Sequence, residues 1–121
     1  MYESRLIIGR KIKHARKSAR VFFQELCRYE LCSMGNQEIN YKNFFELFDQ
    51  EVDFEMFVED ENQATKTDRY GDICKYTTQD HLLPWLNLFT YYDGYWRIPP
   101  LIALLEALKE EKDLIIINYG H

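Results

Sequence analysis

Glu51, Asp53 and Glu55 occupy alternate positions of EVDFEM. On an extended backbone their carboxylates share one side, and Val52, Phe54 and Met56 share the other. Hard oxygen ligands in that arrangement could hold Mg²⁺ and support phosphodiester hydrolysis. A restriction-type nuclease centre would add a lysine two residues after a carboxylate. In Asp72-Ile73-Cys74-Lys75 that earlier position is isoleucine, so a small metal-dependent nuclease ranks only third among the functional readings. Cys74 and His81 are close enough in sequence to form a nucleophile and base if the chain between them folds back. A buried thiol and a surface histidine is the plainer reading. Ser4, Ser18 and Ser33 have no GxSxG setting, and the five glycines form neither GxGxxG nor GxxxxGK. His14, His81 and His121 lack ligand spacing, and Cys27, Cys32 and Cys74 lack CxxC spacing. No catalytic residue, metal or cofactor is therefore assigned, and the chain is read as a non-enzyme.

Two surfaces remain. Arg10, Lys13, Lys17 and Arg20 have helical spacing and would form a basic ridge able to follow a nucleic-acid backbone. That ridge could equally be a solvated face, or dock on the chain's own acidic segment. Residues 49–61 carry seven carboxylates and no Lys or Arg, among them Glu51, Asp53, Glu55, Glu59, Asp60 and Glu61. With Tyr92, Tyr95 and Arg97 they describe a protein-binding surface, in which rigid aromatic area supplies contact and carboxylates steer a basic partner. The charge division sharpens the choice. Residues 1–29 hold eight basic and two acidic residues, a net +6, and the rest hold seven against eighteen, a net −11. At −5 overall and a pI near 5.2 the molecule would repel a duplex, so a basic protein partner is favoured over nucleic acid.

The elements that would carry these residues follow from periodicity. Ile8, Ile12, Ala15, Ala19, Phe22, Leu26 and Tyr29 alternate spacings of four and three, which predicts a long helix over about 8–31. Phe44, Phe45, Leu47 and Phe48 suit a short helix after Asn43, and EVDFEM suits a strand, with a continuation of that helix as the alternative. Residues 59–72 are polar and aperiodic and read as a loop. Asp93-Gly94 fits a two-residue turn, predicting a β-hairpin over 86–98. Pro99-Pro100 would open a helix whose stripe is Leu101, Leu104, Leu105 and Leu108. Leu114 to Ile117 is a continuous apolar run, as in a strand covered on both faces. Strand, helix and strand over 95–118 would form a right-handed βαβ unit. The expected fold is α+β: a long N-terminal helix packed on a small mixed sheet.

A hydrophobic content of 46% with 29% charged residues excludes a wholly disordered chain, and 121 residues suit one domain over 1–121. No apolar run approaches the ~20 residues of a membrane-spanning helix, and the start lacks the order of a signal peptide. A cytoplasmic protein with reduced thiols and no membrane partner is expected. In size, charge and lack of catalytic motifs it resembles, at the level of class, the small acidic inhibitor or immunity proteins that block nuclease toxins. That resemblance implies carboxylates placed where substrate phosphates would lie.

Overall fold

The computed structural model of the protein describes residues 4–13, 21–32, 46–54, 56, 66–88, 98–111 and 113–120. Its elements are β1 (Ser4–Lys13), β2 (Val21–Cys32), β3 (Gln50–Glu51), β4 (Lys75–Thr77), α1 (Gln79–Asn87), α2 (Ile98–Ala107) and β5 (Leu114–Gly120). The five strands form one sheet in the order β2-β1-β5-β4-β3, and every pairing is antiparallel.

The sheet replaces the expected N-terminal helix. β1 pairs with β2 along its whole length, from Ser4 opposite Cys32 to Lys13 opposite Val21, and its other edge is taken by β5. Leu6 and Ile8 join one core cluster and Ile7 the other, the two-residue alternation of a strand buried on both faces. β2 carries two bulges, and the one at Leu26 lets it mimic helical spacing. The register passes from Ile8 opposite Cys27 to Gly9 opposite Glu25, and from Ser4 opposite Cys32 to Arg5 opposite Glu30, skipping Leu26 and Leu31. Each extra residue shifts the parity of the strand. Leu26, Cys27 and Tyr29 therefore pack together against the first cluster, while Phe23 packs against the second. Gly9 would weaken a helix interior by about 1 kcal/mol. In the sheet it is needed for close approach, since a Cβ there would overlap the Gln24 carbonyl oxygen and lie 2.6 Å from the Phe23 ring.

The mixed sheet and the βαβ unit are also corrected. β5 runs between β1 and β4, antiparallel to both, so a parallel strand has no edge of β5 to pair with. Leu86 and Asn87 end α1 and Ile98 begins α2, so both ends of the predicted 86–98 hairpin are helical. Its central residues, 89–97, lie outside the described residues. Leu82 and Leu86 are four apart and fully buried, the spacing of one helix face. The helix after Ile98 agrees with expectation, with Pro99 and Pro100 in its first turn.

Two layers cover the sheet. On one face α1 and α2 bury Leu82, Leu86, Ile98, Leu101 and Leu105 against Leu6, Ile8, Leu114 and Ile116. The Gln79 side-chain amide donates to the Leu105 carbonyl at 3.0 Å and ties the helices together. On the other face Val52, Phe54 and Met56 cover Ile7, Ile115, Ile117 and Tyr119. This 52–56 segment acts as a strap. β3 itself is two residues long, and Val52 N–H continues its pairing by donating to the Cys74 carbonyl at 3.0 Å. Leu114 to Ile117 is buried throughout, as its uninterrupted apolar run predicts.

Candidate binding groove

The most chemically distinctive concavity lies where β3, β4 and the end of β5 meet the 66–74 turn. Glu51 pairs with Lys75, and Lys75 with Asn118, so three polar side chains lie in one row across the sheet. The turn supplies the opposing wall. Asp68 Oδ1 accepts from the backbone N–H of Tyr70 at 2.8 Å and of Asp72 at 3.1 Å, the self-capping that favours aspartate in turns. Gly71 has φ +84°, a conformation that residues with a Cβ rarely adopt. The turn closes through Cys74 N–H to the Lys66 carbonyl at 2.9 Å and a bridge between Thr67 and Ile73. Arg69 N–H donates to the Gly120 carbonyl at 3.2 Å, anchoring the turn to β5. Residues 66–72, expected as part of an aperiodic loop, are thus an ordered wall.

The resulting groove has a volume of about 470 Å³. Glu51, Asp68 and Asp72 face it together with Lys75 and Asn118, and Phe48, Ile73 and Cys74 supply apolar surface. Three carboxylates thus face one ammonium. Glu51, Asp72 and Lys75 form no ion pair among the described residues. Ile73 is 49% exposed, an open apolar flank beside the acids. The arrangement suits a long basic side chain, whose methylene stem can lie along Ile73 and Phe48 while its cation meets the carboxylates. No group of three or more His, Cys, Asp or Glu able to hold a metal occurs among the described residues.

The sequence-derived candidates separate in space. Glu51 lines the groove. Asp53 is exposed but is engaged by Lys11, with Nζ 3.6 Å from Oδ1. Glu55, Glu59, Asp60, Glu61, Tyr92, Tyr95 and Arg97 lie outside the described residues. The basic ridge loses its geometric basis because spacings of three and four do not gather residues on one side of a strand. Arg10 is spent on Gln24 Oε1 at 2.7 Å and Glu111 Oε2 at 3.2 Å. Lys13 ends β1, and Lys17 and Arg20 lie outside the described residues. A Cys74–His81 dyad is not formed. Cys74 is buried in the strap-side cluster, whereas His81 is exposed on α1, across the sheet. Burial, reinforced by the Asp68 charge, pushes the Cys74 thiol up to about 12.

Asp68 was not a sequence-derived candidate. Its signal was the DRYGD segment, an aspartate three residues before a glycine, which marks a side-chain-capped turn. Asp72 and Lys75 attracted notice only for a nuclease motif they fail to complete. No protein-family model, curated protein or solved structure matches the chain.

Proposed function

We propose that this protein binds a basic protein partner without catalysing a reaction, and that the groove beside β3 receives a lysine or arginine side chain of that partner. The observation that carries this reading is the joint placement of Glu51, Asp68 and Asp72 around one open groove with Ile73 exposed at its flank. Charge and apolar area then act together, which is how arginine and aromatic anchors dominate many interfaces. The exposed Asp49 beside Glu51 extends the negative field outward from the groove. Such a field speeds association with a cationic partner at low salt.

The biological role that fits is an inhibitor of the immunity type, covering the cationic substrate surface of a partner such as a nuclease toxin. No helix among the described residues is long and apolar enough to cross a membrane, and the proposal invokes none. Affinity capture from the native host, with wild-type protein and a Glu51→Gln/Asp72→Asn variant side by side, tests the reading. A basic protein retained by the wild type, released by moderate salt and lost by the variant is the expected result. A partner held equally by both proteins and indifferent to salt would remove the charge mechanism, and recovery of nucleic acid instead would overturn the partner class.

A further inference from the structure

Lys11 leaves β1 on the strap side of the sheet and meets an unusual set of neighbours. Its Nζ lies 4.8 Å from the centroid of the Tyr76 ring and 5.4 Å from that of Phe54. It donates to the Tyr76 hydroxyl at 3.1 Å, and Asp53 Oδ1 is 3.6 Å away. One phenylalanine ring, the hydroxyl end of one tyrosine and one carboxylate thus converge on one ammonium from two separate elements, the strap and β4. Phe23 stacks on Phe54 at 5.5 Å and 19°, backing that ring. Gly9 makes room for Phe23.

We propose that Asp53, Phe54 and Tyr76 form an ammonium-binding cage, which the chain fills in cis with Lys11 to pin the strap on the sheet. The pin falls between two backbone attachments of the strap. Val52 N–H donates to the Cys74 carbonyl just before β4, and Met56 makes a β-bridge beyond it. Asp53 and Phe54 follow Val52 directly, and both touch Lys11. An aromatic ring attracts a cation through its quadrupole, and the carboxylate adds charge on the open side, so the cage selects a cation over a neutral group of equal shape. The side chain of Lys11 is 32% exposed, so its head remains at the rim while its stem crosses apolar surface. This assignment stands apart from the partner proposed above. It also explains why Asp53, although exposed, is not a groove residue.

The test uses the full-length chain and two nuclear magnetic resonance readouts. In the wild type the ε-methylene protons of one lysine are displaced upfield from the lysine envelope by the two rings, and the displaced signal vanishes in Lys11→Met. Exchange of the Val52 amide quickens by roughly fivefold in Lys11→Met, which keeps an apolar stem and removes the cation. In Lys11→Ala, n-propylammonium replaces the missing atoms and restores Val52 protection saturably, whereas 1-propanol does not. A wild-type spectrum with every ε-methylene in the envelope would overturn the cage, even if the variants failed to fold. Unchanged Val52 exchange in Lys11→Met, or equal rescue by propanol, would overturn the role of the cation.

Discussion

At the residue scale, Cys74 and Lys11 respond to pH in ways that report on their surroundings. Cys74 is buried, and its thiol is raised to about 12, so at neutral pH it is an inert core thiol. Iodoacetamide near pH 8 should leave the Cys74 peptide unmodified in native protein and label it fully in denaturant, as read by mass spectrometry. Rapid native labelling would show that the strap opens freely. The sign of the stability effect follows from linkage. The unfolded thiol ionises near pH 8.5, whereas the folded one stays protonated, so stability falls as pH rises between those values, by on the order of 1 kcal/mol per pH unit. For Lys11, partial burial acts to lower the pKa, but the Tyr76 hydroxyl and then Asp53 outweigh it and hold the ammonium above its ordinary 10.5. A raised lysine stabilises fully below its unfolded value and less as pH climbs through the folded one. The gap in urea midpoint between wild type and Lys11→Met should therefore be constant from about pH 6 to 9 and narrow above roughly 10.5. A gap that persists unchanged at higher pH would mean that packing of the side chain, not its charge, is responsible.

At the element scale, the β1–β2 pair depends on Gly9. Gly9→Ala should destabilise the protein by about 1–3 kcal/mol, because the new Cβ must displace either the Gln24 carbonyl or the Phe23 ring that supports Phe54. Urea unfolding measures this, and a neutral result would show that the two strands are not in the described register. The same pair shows why sequence periodicity misled. A four-and-three spacing arises in β2 without a helix, because the bulge at Leu26 resets its alternation, and a single sequence does not mark where bulges fall. Leu6-Ile7-Ile8 carries the same both-faces-covered signature as Leu114 to Ile117. Its last residue, Ile8, also fits the first position of a four-and-three pattern, whereas no such pattern competes with the C-terminal run. The alternation of EVDFEM was a sound guide to exposure: Val52, Phe54 and Met56 are buried while Glu51 and Asp53 are exposed. Of the groove, Glu51 could be read in advance, but its union with Asp68 and Asp72 could not. That union depends on the 66–74 turn folding back over β4.

At the scale of the whole molecule, strand order places the groove at one edge of the sheet. β2 and β3 are opposite edges, so the groove residues Glu51 and Lys75 are separated from β2 by β1 and β5. Among the described residues two ion pairs, Lys11 to Asp53 and Arg10 to Glu111, join the basic first quarter of the chain to the acidic remainder. The carboxylates Glu51, Asp68 and Asp72 clustered in the groove orient the molecule as it approaches a cationic surface, groove first. Glu51→Gln and Asp72→Asn should each weaken binding of a basic partner by roughly two- to fivefold, chiefly by slowing association, with smaller losses as salt increases. Stopped-flow association rates at several ionic strengths would show this. An effect confined to dissociation and blind to salt would point to lost packing instead.

The most direct measurement is a titration of isotope-labelled protein with a short arginine-rich peptide, followed through backbone amide shifts. Saturable, salt-sensitive shifts concentrated at Glu51, Asp68, Asp72, Ile73 and Asn118 are expected, strongly reduced in Glu51→Gln/Asp72→Asn. Shifts scattered over both edges of the sheet, or a groove that stays silent while the peptide binds elsewhere, would contradict the proposed groove.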